Sequence, residues 1–158
     1  MAFDLARVAV QAGNHPFGAV LVHNGDVIAE AVNTVTTDED ETAHAEMNLI
    51  RAALNQFAET YLRECTLFAS TEPCAMCAGA IYISGIGRVV YGLPGARLAE
   101  ITEWAYATDC RTVFAAGSQP VEVVGPLLVD EAEDVHRGAW GGWGDREIGF
   151  SGAPQGRR

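Results

Sequence analysis

Two short stretches, His44-Ala45-Glu46 and Glu72-Pro73-Cys74-Ala75-Met76-Cys77, constrain this chain more than any other feature of its 158 residues. One imidazole and two thiolates make three ligands for a zinc ion and leave the fourth tetrahedral position for water. A structural site wants a fourth protein ligand, so three ligands and an open position is the catalytic pattern. Cys74 and Cys77 stand one turn apart at a helix start. Free N–H groups and the helix dipole there lower thiol pKa values and favour the thiolates a metal needs. His44 and Glu46 are two residues apart and would diverge in mid-helix. In a first turn both reach one metal, His44 as ligand and Glu46 as a base acting on water. The fold must then bring two helix starts to one point.

Composition narrows what such a site serves. One domain accounts for the length, and 49% hydrophobic against 20% charged residues is enough for a proper core. Ten basic residues face twenty-one acidic ones, a net charge of −11 with a pI near 4.6. All ten are Arg. A chain without Lys has no Schiff-base, P-loop or Ser-Lys chemistry. The charge also argues against nucleic acid, whose binding rests on neutralising phosphates. No apolar run approaches the ~20 residues of a membrane span, and the first residues (MAFDLARVAVQAG) read as a short helix without a signal-peptide cleavage site. A cytoplasmic protein with no membrane partner is expected. Four Cys at uneven spacing, one pair as C-x-x-C, read as metal or redox chemistry rather than a disulfide framework.

Periodicity and turn chemistry give the element order. A helix spans Met1 to Gln11, ended by Gly13 and Asn14 ahead of Pro16. Phe17–Val22 and Val27–Val35 are β-rich runs around Asn24-Gly25, the strongest short hairpin signal. Thr36 to Glu41 (TTDEDE) is an acidic loop, and Thr42 caps a helix from Ala43 to Phe57. Leu67–Ser70, Arg88–Tyr91 and Val121–Val124 are strands. Helices are expected from the Pro73 turn through Ile83, with Gly85 as the stop, and over Ala96–Tyr106 and Pro126–Arg137. This order predicts an α/β fold, a three-layer α/β/α sandwich around a mixed sheet of about five strands. Its two strand–helix–strand crossovers should be parallel and right-handed. Residues 1–139 form the domain, and 140–158 are a Gly-rich tail.

H-x-E followed by P-C-x-x-C is the signature of zinc deaminases. From Pro16-Phe17-Gly18-Ala19-Val20 through the Cys helix to Tyr91, the chain resembles the cytidine and deoxycytidylate deaminase superfamily. The resemblance implies a cytidine-deaminase-like fold, one Zn2+ per chain, a homodimer and hydrolytic deamination with release of ammonia. Glu46 would take a proton from water and deliver it to the ring nitrogen, then to the departing amine. Asn33 stands eleven residues before the zinc His, where cytosine and guanine deaminases of the superfamily place the Asn that binds the base. The Ala45 and Cys74 N–H groups match donors to the base, and the Glu72 carbonyl matches the acceptor of the leaving amine.

Bland readings apply to other residues. C-x-x-C alone would serve as a redox pair or half a zinc finger, but H-x-E upstream and the lack of a second C-x-x-C argue against both. His15, His23 and His136 have no companion motif and are expected on the surface or in loops. Cys65 and Cys110 are expected to be small core residues. A silent zinc scaffold is the alternative class of function, but it would have no use for Glu46.

Substrate choice follows from charge. Transfer-RNA adenosine deaminases share His-Ala-Glu, Pro-Cys-Ala-Met-Cys-Ala-Gly-Ala and Arg-Val-Val-Tyr-Gly with this chain. RNA would need a cationic surface, whereas Asp38 to Glu41 put four carboxylates just before the zinc His. A small uncharged base or nucleoside is expected instead. The chain looks nearest to guanine and cytosine deaminases. Asp109 falls near an Asp that guanine deaminases carry, which places a guanine-type base first and cytosine second, with an amino-triazine also open. Ile83 departs from the pattern, since guanine deaminases have Trp there. Trp140, Trp143 and Phe150 are candidates to stack on the base, with Gly141, Gly142 and Gly144 letting the tail fold over the pocket.

Overall fold

A computed structural model describes residues 1–102 and 109–140. The central sheet has five strands, β1 (Gly18–His23), β2 (Asp26–Val32), β3 (Thr66–Thr71), β4 (Arg88–Leu93) and β5 (Glu122–Val124), in the order β2-β1-β3-β4-β5. β1 pairs antiparallel with β2 and β3, while β3–β4 and β4–β5 are parallel. The expected mixed sheet and parallel crossovers are both present. The β1–β2 turn is Asn24-Gly25 with φ of 51° and 88°, the doubly positive pair that suits the right-handed twist of the flanking strands.

Alternation of side chains sorts the core. Ala19 and Leu21 of β1, Leu67 and Ala69 of β3, and Val89 and Tyr91 of β4 share one cluster with three helices. These are α3 (Ala45–Leu54), which supplies Leu49, Ile50 and Ala53, α5 (Ala75–Ser84), which supplies Ala78 and Ile81, and α7 (Cys110–Ala115), which supplies Cys110 and Phe114. The intervening Val20 and Val90 are buried outside that cluster, as are Ala6 and Ala9 of α1 (Ala2–Gln11) and Ala132 and Val135 of α8 (Val129–His136). α1 and α8 pack on each other and on the sheet, forming the second helical layer. Three further helices complete the described chain, namely α2 (Val35–Asp38), α4 (Glu59–Leu62) and α6 (Gly95–Thr102).

Several boundaries differ from expectation for identifiable reasons. β2 stops at Val32, and Val35–Asp38 is a helical turn rather than loop. Asn33 Oδ1 accepts from Val35 N at 3.2 Å, and Asn14 Oδ1 accepts from Thr36 N and Thr37 N, both at 3.0 Å. The second acceptor comes from a residue far away in sequence and has no local signal. Thr42 does not cap α3, because its N–H and hydroxyl are both held by Asp40 Oδ1. His44 occupies the cap position, and α3 ends at Leu54 rather than Phe57. α8 begins at Val129 after Leu128, whose φ is 54°, rather than at Pro126. The short α4 and α7 lie where no helix was expected. The expected helix over Ala96–Tyr106 is described to Thr102, beyond which its residues lie outside the described set.

Gly18 opens β1 directly beneath α1, and a methyl there would sit 2.5 Å from the Ala2 carbonyl oxygen and 2.7 Å from Ala6 N. Those are helix backbone atoms, which cannot rotate aside. Gly18→Ala is expected to cost about 1–3 kcal/mol in overpacking. A thermal melt checks this, and an unchanged midpoint contradicts it.

Candidate active site

α3 and α5 pack side by side on one face of the sheet, and the site lies where both begin. His44 is the N-cap of α3 (φ −66°, ψ 155°) and Cys74 the N-cap of α5 (φ −65°, ψ 170°), both extended. Neither side chain caps its own helix. Instead they converge, with Cys77 joining from the first turn of α5. His44 Nδ1 lies 3.6 Å from Cys74 Sγ and 3.5 Å from Cys77 Sγ, and the three ligand atoms fall within 4.8 Å of one another.

Those spacings fit a tetrahedral ion. Zinc bonds of about 2.3 Å to sulfur and about 2.05 Å to nitrogen, opened to the tetrahedral angle, separate N from S by about 3.6 Å. The donor set of one imidazole and two thiols is a zinc set, and no fourth protein ligand joins it among the described residues.

Electrostatics at the helix starts agree with the expected thiolate at Cys74 but not at Cys77. The Cys74 thiol is drawn down to about 4, chiefly by its hydrogen bond from Cys77 and then by His44, against a burial cost. Burial pulls His44 downward, but the hydrogen bond and charge of Cys74 outweigh it and the net direction is up. Cys77 is pushed up by its bond to Cys74 and by burial. A thiolate and a retained proton are thus crowded into one small volume, a place suited to a cation.

Glu46 stands in the first turn of α3, 8% exposed, with Oε2 accepting from Cys77 Sγ at 3.6 Å. Burial, with the Cys74 charge adding, raises its pKa above the usual carboxylate range. A carboxyl poised to hold and release a proton beside the ligands is the general-base arrangement.

The other expected site residues divide. Asn33 is fully buried, donates its backbone N–H to the Phe17 carbonyl at 3.0 Å, and leaves Nδ2 with no hydrogen-bond partner among the described residues. A buried amide donor left open is costly unless a ligand fills it. Ala45, 1% exposed, is the first residue of α3, where helix N–H groups lack intrahelical acceptors. Asp109 is exposed and engaged elsewhere. It caps α7, with Oδ1 accepting from Thr112 N at 2.7 Å and Oδ2 from the Thr112 hydroxyl at 3.1 Å. Trp140 packs against His15, Phe17 and His136. Trp143 and Phe150 lie outside the described residues.

Some roles had escaped sequence reasoning. The buried Glu72 carboxylate accepts from Gly95 N at 2.9 Å and Cys110 N at 3.1 Å, tying the starts of α6 and α7 to the metal-ligand turn. His15 and His136, expected at the surface, are 8% and 2% exposed. A lone His gives no sequence signal of its depth. Cys65 and Cys110 are buried core residues as expected, and His23 at the hairpin end pairs with Glu64 at 3.3 Å.

Comparison with known proteins agrees with this geometry. The family described as the cytidine and deoxycytidylate deaminase zinc-binding region matches residues 1–93. A probable cytosine deaminase of Schizosaccharomyces pombe is 38% identical over 146 residues, covering 89% of each chain. A guanine deaminase of Bacillus subtilis is 48% identical over 91 residues, covering 57% of this chain and 58% of its own. Among solved structures, a guanine deaminase from Nitrosomonas europaea matches with a TM-score of 0.74 and 26% identity over 87% of this chain and 80% of its own. A tRNA:A34 deaminase matches at 0.68 and 32%, over 85% and 94%.

Two substitutions separate ligand from base. Cys74→Ala should lose bound zinc, read by elemental analysis of the purified protein. Glu46→Gln should keep zinc while turnover falls by roughly 10²–10⁴. Full zinc in the first or substantial turnover in the second contradicts the assignment.

Proposed function

Because this chain belongs to the cytidine and deoxycytidylate deaminase family and carries its zinc-binding region, we propose that it hydrolyses the exocyclic amine of a free, uncharged amino-substituted nucleobase, guanine-type first. Zinc held by His44, Cys74 and Cys77 would supply the Lewis acidity that makes water a nucleophile near neutral pH. Glu46 takes a proton from that water and passes it to the ring nitrogen beside the amine-bearing carbon. A second proton transfer releases the amine as ammonia, so one C–N bond is exchanged for one C–O bond. The open Asn33 Nδ2 donates to a ring carbonyl and fixes the base in its plane, while the Ala45 and Cys74 N–H groups and the Glu72 carbonyl complete its polar contacts.

The observation that carries the choice of substrate class is the charge around His44. The Glu41 carboxylate is close enough to raise the His44 pKa, and Asp38 and Asp40 are held just upstream by Thr34 and Thr42. With a net charge of −11 and no Lys, the approach to the site repels phosphate. That favours a free base over RNA or a nucleotide. The likeness to solved guanine deaminase supports the guanine-type base. Asp109 gives it less support than its sequence position suggested, since its carboxylate is taken up by the α7 cap. Cytosine is the second reading, favoured by the relative that aligns across 89% of both chains.

Ammonia release measured side by side on guanine, cytosine, adenine, their nucleosides, amino-triazines and a tRNA anticodon stem tests the proposal. A free base is expected to lead. Efficient turnover of the anticodon adenosine in competition with free bases would overturn it.

A further inference from the structure

His136 is the most deeply buried imidazole among the described residues, and nothing in the reaction above uses it. It ends α8 at the end of the sheet where β1 begins and β3 stops, beside Phe17 and Thr71. One ring nitrogen, Nε2, lies 3.3 Å from Thr71 Oγ1. The other, Nδ1, accepts from Trp140 Nε1 at 3.3 Å. Indole N–H only donates, so Nδ1 must be bare and the single ring proton sits on Nε2, directed at the Thr71 hydroxyl. The Trp140 contact therefore requires the neutral imidazole, in one tautomer.

The surroundings keep it neutral. Burial drives the His136 pKa down to about 4, with Glu133 pulling weakly the other way. Glu133 is itself occupied by Arg97, at 2.6 Å and 3.3 Å. Arg97, Ile101, Glu133, His136 and Arg137 border a cavity of about 250 Å³ on that side of the ring.

This contact has a direction. The His136 and Trp140 rings are 5.8 Å apart with planes 7° from parallel, and Phe17 stands edge-on at 5.6 Å from His136 and 6.1 Å from Trp140. Phe17 is bonded through its carbonyl to the backbone of Asn33, and Thr71 leads through Glu72 and Pro73 into Cys74. Phe17 is thus tied through its backbone to the residue with the open amide, and His136 through Thr71 to the strand that leads into the metal-ligand turn.

We propose that His136 is a positioning residue: bridging Thr71 and Trp140, it fixes Trp140 and Phe17 as an aromatic wall on the base side of the site. The wall's ligand rests on the free-base reading above, whereas the His136–Trp140 bridge does not. Its contribution is to binding rather than to proton transfer, so it moves KM and spares kcat.

Three variants test it on the zinc-loaded protein. Thr71→Val keeps shape and removes one anchor. His136→Phe keeps a ring and removes both nitrogens. His136→Asn restores an acceptor near the Nδ1 position. The expected result is a KM for the preferred base raised about tenfold in His136→Phe, with kcat within about twofold and partial recovery in His136→Asn. Thr71→Val should raise KM in the same sense, and it reports even if the larger change in His136→Phe unfolds the chain. The Trp140 indole N–H resonance, identified by its loss in Trp140→Phe, gives a readout independent of turnover. Slow exchange with solvent in the parent protein and in His136→Asn, and fast exchange in His136→Phe, are expected. Wild-type KM in folded variants overturns the wall, and an indole resonance indifferent to His136→Phe or Thr71→Val overturns the bridge. An enzyme that turns over none of the bases defeats the substrate reading instead, and the indole measurement still decides the bridge.

Discussion

Two helices in this protein begin with residues that decline to cap them. His44 and Cys74 hold the N-cap positions of α3 and α5, where Ser, Thr, Asp or Asn would ordinarily satisfy the first N–H groups, and neither side chain does so. Each forgoes a cap commonly worth ~1 kcal/mol. In return, two electropositive helix ends face one small volume containing a thiolate, an imidazole and a carboxyl. The sheet makes this possible. β1 and β3 are antiparallel neighbours, so the chain leaving β3 into α5 arrives beside the start of β1, to which the backbone of Asn33 is bonded through Phe17. Packing of Leu49, Ile50, Ala78 and Ile81 on one cluster holds α3 and α5 together.

Within that frame, charge and depth separate the tasks of similar groups. Glu46 and Glu41 lie five positions apart, yet one is buried beside a thiolate and the other exposed at the approach. Burial gives Glu46 a proton affinity suited to transfer, whereas Glu41 acts only as a charge. Asp38 and Asp40 spend their oxygens on Thr34 and Thr42, which fixes a negative rim in place rather than leaving it to wander.

The features legible in sequence were those whose cause is local. Asn24-Gly25 turns the hairpin because both residues tolerate positive φ, and the H-x-E and P-C-x-x-C spacings state their own geometry. What escaped was set at long range. Asn14 caps a turn more than twenty residues away, so the acidic stretch looked like loop. Thr42 looked like a cap because its spacing was right, but Asp40 lay nearer to its N–H. His15 and His136 have no motif, and only the meeting of α8 with β1 and β3 puts them inside. Asp109 shows a local signal that was passed over. Its position suggested a partner for a base, while Thr112, three residues further on at a cap spacing visible in the chain, engages both its oxygens.

The Glu72 carboxylate joins Gly95 at the head of α6 to Cys110 at the head of α7, immediately before the metal-binding cysteines. One buried carboxylate therefore sets where two helices start relative to the turn that carries Cys74 and Cys77, so a change at that single side chain would be felt at three places in the fold.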